Sequence, residues 1–450
     1  MPPNPSPNAH IRNPADGLDG TAALAHNRRP VGASGSAGSL GVLHPTFESW
    51  GGAEWFIHQV IAAGLGGSPP ATIYTHRWTA PPGGEAACAV LEHRRGGILS
   101  APWDWEKIAV EQAEAWRSHG ALFIHNWPAT QWYHEGCGRG ALPPAVWFCH
   151  EPPPALYGAD RGGKEAPAQE LSGLLDSLRF YGKHVVWRVI SRLRARRSVA
   201  RMGEELWVAD LRRRDRVAVA SLPVVLANSR FTARRIREIY EREAEVVYPV
   251  PPDLRRFRPS GPSEKQREIL WVGRLTHHKR PHVMLSAWRQ ATEVEPALAD
   301  YRLVMVGDGP MRPAIEARIE KLGLGGSVTL LRNLPRSDLI ERYRSAILTV
   351  HLGVAEPFGL VPLESMAAGT AVLAEGDGGA RETILEEETG WTIDGIDEPT
   401  LADRLARVPG IEWRLKEMGR VATDHAREAF DPDAAMARLR QVLAEASRGG

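Results

Sequence analysis

The sequence predicts an α/β protein of two doubly wound domains facing each other across a cleft, and three observations carry that expectation. At 450 residues the chain exceeds the roughly 250 to 300 that one hydrophobic core serves. Short apolar strands alternate with helical segments along nearly its whole length, the pattern of parallel βαβ units. A stretch with five prolines and no sustained periodicity, VVYPVPPDLRRFRPSGPSEKQ, interrupts the alternation, and a fresh strand begins just after it. We therefore read an N-terminal domain over residues 39–259, a C-terminal domain over 260–430 and a closing helix over 431–450. The strand ends of two such domains line one cleft, which suits a ligand with two chemically different halves.

Residues 1–38 are rich in Pro, Asn and Gly, lack the apolar core of ~7 to 15 residues of a secretory signal, and read as a disordered leader. The first strand is expected at Leu40–Leu43, followed by a loop ending in Gly51 and Gly52 and a helix in AEWFIHQVIAAGL. ATIYTH, ALFIHN and AVWFCH are further strands, each ending in a histidine: His76, His125 and His150. Parallel topology turns those three histidines toward the functional edge. In the second half, strands at ILWVGRL, RLVMVGDG, SVTLLRNL, AILTVHLG and TAVLAEGD are separated by helices such as MRPAIEARIEKLG and GLVPLESMAAG. A last helical segment follows Pro432.

Composition excludes several classes. Hydrophobic residues at 43% and charged residues at 24% are globular values. Fifty-five basic against 54 acidic residues leave a net charge of +1, so no global excess announces a nucleic-acid or acidic partner. The three cysteines, Cys88, Cys137 and Cys149, are too few and too far apart for a disulfide framework or a CxxC metal site, which points to a reducing, cytoplasmic setting. No window approaches the ~20 apolar residues of a membrane span.

Two motifs carry chemistry. The first strand of the second half runs into Gly273, Arg274 and, five residues after the arginine, Lys279; a guanidinium fork and an ammonium at the mouth of a βα turn can converge on one polyanion. Glu356 and Glu364 stand eight residues apart in EPFGLVPLE, the first in a loop after a strand, the second in a helix expected to start near Phe358 or Gly359. Pro357 and Pro362 fit a loop and a first helical turn. Gly359 leaves the helix N-terminus open, so its amide groups and dipole can receive a diphosphate. One carboxylate then addresses the sugar side and the other the nucleoside side.

These segments resemble retaining family 4 glycosyltransferases, glycosyl transferases group 1. The first is similar to that family's GRLxxxK clamp, the second to its EX7E motif with the EPFG opening and ExMAxGxxV continuation. Gly378-Gly379-Ala380-Arg381-Glu382 and Thr389-Gly390 resemble its GGxxE and TG sequel, Gly51-Gly52-Ala53-Glu54 its GGAE loop, and His150-Glu151-Pro152 its HEP segment. Asn228-Ser229-Arg230-Phe231-Thr232 resembles its NSxFT turn, in which Ser229 reads as a helix cap. The resemblance covers most of residues 39–445. It implies a GT-B architecture of two Rossmann-like domains, with the closing helix packing back on the first.

The activity so implied is transfer of a hexose from a nucleotide diphosphate sugar to a hydroxyl of a glycan or lipid-linked acceptor, with retention at the anomeric carbon. The resemblance makes His150, Arg274, Lys279 and Glu356 catalytic, and Gly51, Gly52, Gly273, Phe358, Gly359, Leu360 and Glu364 donor-binding. Arg332 and Asn333 are expected to read the base. The sequence WFCHEPP looks like that of mannosyltransferase-type relatives, which makes GDP-mannose the expected donor and a UDP-sugar the alternative. No DxD-like metal motif flanks these residues, so neither metal nor cofactor is expected. An epimerase on the same architecture is the nearest competing activity.

Between Ser177 and Gly203 there are eight Lys/Arg residues and no acid, with Val186, Val189, Ile190 and Leu193 on one helical stripe. This basic amphipathic pattern, including Lys183, Arg188, Arg192, Arg194, Arg196 and Arg197, reads as a peripheral contact with anionic membrane. The same segment, 177–203, gives a nucleic-acid-binding protein as the non-enzyme alternative, but a nucleic-acid partner is not expected, because no helix-turn-helix, RNP or zinc pattern accompanies it.

Overall fold

The computed structural model describes residues 39–47, 50–67, 71–81, 88–92, 102–158, 197–259, 261, 264–332 and 334–449. The leader, Asn333 and the basic residues Lys183, Arg188, Arg192, Arg194 and Arg196 lie outside the described residues, and with them the membrane contact; Arg197 falls at the start of a helix. No described helix is long and apolar enough to cross a membrane.

The first half runs β1 (Leu40–Leu43), β2 (Thr46–Phe47), α1 (Gly52–Ala62), β3 (Thr72–Thr75), β4 (Arg77–Trp78), β5 (Ala89–Glu92), α2 (Pro102–Trp116), β6 (Ala121–His125), α3 (Ala129–Cys137), β7 (Ala145–Cys149), α4 (Pro154–Tyr157), α5 (Arg197–Ala220), β8 (Val224–Ala227), α6 (Arg230–Tyr240) and β9 (Glu245–Val246). Seven of the strands form one parallel sheet in the order β5-β3-β1-β6-β7-β8-β9. The central strands β1, β6 and β7 are buried at every position, which is why they read as apolar runs rather than alternating ones. One face carries Trp105, Trp116, Trp132 and Trp147; the other carries Val42, Phe56, Phe123 and Phe148.

The second half continues with β10 (Glu268–Val272), α7 (Pro281–Val294), β11 (Arg302–Val306), α8 (Arg312–Lys321), β12 (Val328–Leu331), α9 (Arg336–Ser345), β13 (Leu348–His351), α10 (Leu360–Ala367), β14 (Ala371–Glu375), β15 (Gly390–Ile393), α11 (Glu398–Ala406), α12 (Glu412–Ala429) and α13 (Pro432–Gly449). Its sheet is also parallel, ordered β12-β11-β10-β13-β14-β15. The sequence reading named five of these six strands and omitted β15, a four-residue run that opens on a glycine.

The proline-rich connector is packed rather than slack. Val250, Leu254 and Phe257 are buried among Leu270, Val304, Tyr343 and Leu363 of the second core. At the other end, α13 returns to the first sheet, where Met436, Leu439, Val442 and Leu443 share a cluster with Leu40, Val42, Phe123 and Val146.

Strand order reverses between β1 and β6 in the first sheet and between β10 and β13 in the second. Such switch points open a crevice beyond the carboxyl ends of the strands, where open α/β sheets bind ligands.

Candidate active site

Each switch point is lined by residues with evident chemistry. In the second half, the loop after β10 supplies Gly273, Arg274 and Lys279, and the loop after β13 supplies Glu356. The Lys279 ammonium pairs with the Glu356 carboxylate. Both side chains are about one-fifth exposed, so the pair is poorly screened. Burial alone would raise the Glu356 pKa; Lys279 outweighs it and holds the carboxyl at about 2.

The helix after Glu356 begins at Leu360, with Gly359 as its cap, one or two residues later than the sequence suggested. Gly359 has φ +96°, a left-handed conformation that a side chain would strain, and an added Cβ would lie 3.0 Å from Ala380. No side chain caps this helix, so its first amides remain available to an anion. The preceding loop is held by Gly378 and Gly379: a Cβ on Gly379 would sit 2.1 Å from the Pro357 carbonyl, and its amide donates to the Glu356 carbonyl at 2.7 Å. The GGxxE segment thus supports the EPFG loop backbone to backbone.

Glu364 lies on α10, 7% exposed, in an ion pair with Arg336 at 2.7 Å. The Phe358 ring is buried and stacks on Tyr248 of the connector at 5.4 Å, so its side chain packs the core while its backbone stands next to the α10 N-terminus. Leu360 also leans on that core, while lying near Gly52 of the first half. Arg332 stands apart, mostly exposed at the end of the edge strand β12, near Asp308 and Glu316.

In the first half, β1 and β6 end at His44 and His125, and β7 at His150. His125 Nδ1 and His150 Nε2 are 3.0 Å apart, and the two rings stack at 5.3 Å. Asn228 Nδ2 donates to the His150 carbonyl at 2.7 Å. Burial, then His44 nearby, brings His150 down to about 3, and burial first of all takes His125 well below the usual histidine range. Both rings are neutral at physiological pH and act as hydrogen-bonding groups. His76, the third predicted histidine, is buried after β3 beside Tyr74 and Trp116, apart from this pair.

His44 was not singled out in the sequence. Its Nε2 meets Glu54 Oε1 at 3.2 Å, and Glu54 Oε2 accepts the Gly51 amide at 2.8 Å. The Gly51 amide is therefore engaged by its own helix. Gly51 itself faces the other half: a Cβ there would lie 3.3 Å from an Arg274 guanidinium nitrogen, and one on Gly52 would lie 3.1 Å from Leu360. The first turn of α1 and the Arg274 loop thus meet across the cleft. Among the described residues no cluster of His, Cys, Asp or Glu is arranged to hold a metal ion.

Residues 254–422 match the family model of glycosyl transferases group 1. That match lies within the second half of the chain. Curated relatives include the D-inositol 3-phosphate glycosyltransferases of Nocardia farcinica, 32% identical over 226 residues, and Thermobispora bispora, 34% over 239. Those alignments cover 46% and 49% of this chain and 49% and 56% of the relatives, so the chain spans about half the length of the curated relatives it matches. Among solved structures, sucrose-phosphate synthase from Thermosynechococcus elongatus superposes with a TM-score of 0.69 at 17% identity, covering 91% of this chain and 99% of that one. Anabaena Alr3699/HepE in complex with UDP-glucose gives 0.64 at 16%, covering 90% and 99%. The two parallel sheets together have the GT-B architecture of these solved structures.

Proposed function

We propose that this protein is a retaining glycosyltransferase that moves a hexose from a nucleotide diphosphate sugar to an acceptor hydroxyl. The observation that carries the reading is the meeting of Lys279, Glu356 and the uncapped α10 N-terminus at one switch point, with Arg274 reaching the Gly51 loop opposite. The difficult charge in such a transfer is on the departing diphosphate. Arg274, Lys279 and the α10 amides are aimed at it in advance, the arrangement that supplies the largest catalytic term. Glu356 addresses the sugar hydroxyls, Glu364 the ribose, and neutral His150 hydrogen-bonds the sugar near its reacting carbon.

In the reaction the bond from the anomeric carbon to the diphosphate oxygen breaks, and the acceptor oxygen bonds to that carbon on the same face. The acceptor proton passes to the leaving phosphate oxygen. Trapping a glycosyl adduct on Glu356 would replace this route with double displacement. Arg274 and Lys279 neutralise the charge a divalent ion would otherwise meet, so turnover is expected to survive EDTA; loss restored by magnesium or manganese overturns that point.

GDP-mannose is the first donor to test, because of the WFCHEPP segment, and a glycan or lipid-linked alcohol the acceptor class. The UDP-glucose held by the Anabaena neighbour makes a UDP-hexose the second donor. Donor hydrolysis across GDP-, UDP- and dTDP-sugars, with Glu364→Ala as the blank, decides between them. Product anomeric configuration read by proton NMR tests retention. A chain that hydrolyses and transfers from none of these donors refutes the proposal.

A further inference from the structure

Arg336 belongs to no motif singled out in the sequence, yet it joins three parts of the molecule. It opens α9, and its Nη2 lies 2.7 Å from Glu364 Oε1. The same guanidinium grips Asp253 in a fork, Nε to Oδ2 at 2.8 Å and Nη2 to Oδ1 at 3.2 Å. Asp253 lies on a 3-10 turn, Pro252–Arg256, of the connector between the two sheets. The Arg336 guanidinium also sits 4.9 Å above the ring of Phe257, four residues further along that connector. The three charged side chains are between 10% and 28% exposed, so their interactions are poorly screened by solvent. Burial works against the arginine's charge, and Glu364 and Asp253 more than offset it, raising its pKa. One planar fork thus holds two carboxylates in a fixed relation, a task a lysine ammonium does with less geometric definition.

We propose that Arg336 is the positioning residue for the nucleoside half of the donor: it orients the Glu364 carboxylate toward the ribose hydroxyls and, through Asp253, ties that orientation to the interdomain connector. The inference rests on the reading of Glu364 as the ribose ligand. It assigns donor affinity to a residue that touches neither sugar nor phosphate, and it makes Asp253 a second residue whose loss weakens nucleoside binding.

The test is calorimetric titration of the full chain with UDP, GDP, ADP and dTDP, and separately with inorganic pyrophosphate, which has no ribose. Arg336→Ala is expected to weaken the best nucleoside diphosphate by about tenfold or more. Arg336→Lys and Asp253→Asn, measured in case the alanine variant unfolds, are expected to fall between it and wild type. Pyrophosphate affinity stays within about twofold for all three, because Arg274, Lys279 and the α10 amides are untouched. Unchanged nucleoside diphosphate affinity in the folded variants overturns the role of Arg336, and so does an equal loss of pyrophosphate. A wild-type chain that binds none of the four nucleotides refutes the donor reading itself, and the two failures are thereby distinguished.

Discussion

The carboxylate of Glu382, from the second half of the chain, accepts the backbone amides of Arg230 and Phe231 at 2.9 and 2.7 Å and so caps helix α6 of the first half. The Tyr248 hydroxyl reaches the same carboxylate at 3.2 Å. Beside it, Ser229 Oγ accepts the Thr232 amide at 2.9 Å while donating to the Pro357 carbonyl at 2.5 Å. The GGxxE and NSxFT segments are thus two halves of one joint, and the EPFG loop rests on it. Glu382→Ala is expected to cost about 1 to 2 kcal/mol in urea unfolding, the range for a lost helix cap. Glu382→Gln should recover part of it, since the amide oxygen still accepts. Equal midpoints for wild type and Glu382→Ala contradict this.

Lys279 and Glu356 should behave as a coupled pair. Lys279→Met leaves the carboxylate uncompensated, and the loss is expected at or below the roughly 3 kcal/mol at which losses begin for fully buried pairs. Adding Glu356→Gln removes the stranded charge, so the double variant should be more stable than the sum of the single effects implies, by about 0.5 to 3 kcal/mol. Strict additivity of the melting data rules out the coupling. Either single variant should lower kcat by about a hundredfold or more.

Because burial brings His150 down to about 3, it does not ionise near neutrality. The kcat/KM profile should show no limb near pH 6 to 7 that disappears in His150→Gln; a limb that does disappear would place the imidazolium in the mechanism. His125→Phe removes the hydrogen-bond partner of His150 while keeping a ring in the stack, and should lower kcat with little change in donor affinity.

Asp215 tests the pH dependence of the fold. It is buried at 1% exposure among Tyr157, Tyr240 and Gln131, at 2.9, 2.7 and 3.2 Å. Burial dominates and raises its carboxyl to about 6. The folded pKa exceeds the unfolded one, so the folded state binds more protons between pH 4 and 6 and stability falls as pH rises through that window. The contribution amounts to up to about 3 kcal/mol, and Asp215→Asn should remove that part of the slope. Denaturant midpoints for both proteins at pH 4.5, 5.5 and 7 check it; the opposite slope is incompatible with the assignment.

The parts of the site legible in the sequence were those whose chemistry is local. Lys279 follows Arg274 by five residues and Glu364 follows Glu356 by eight, so local spacing singled these residues out, whereas the pairing of Lys279 with Glu356 across 77 positions was not legible. The strand ends followed from apolar runs closed by a histidine. Other relationships could not be read this way, because the partners lie far apart in the chain. Arg336 meets Asp253 across 83 positions and Phe231 meets Glu382 across 151; no periodicity or spacing connects them. The stacking of Phe358 on Tyr248 was hidden for the same reason.

The return of α13 to the first sheet gives synthesis and folding opposite orders. Leu40 and Val42 lie in β1, yet Met436, Leu439 and Val442, which cover them, are made only after the second sheet. A nascent first half therefore carries an uncovered apolar face while the second half is translated, a state in which long α/β chains are prone to aggregate. Only when the eighteen-residue helix α13 packs against the first sheet is that face closed.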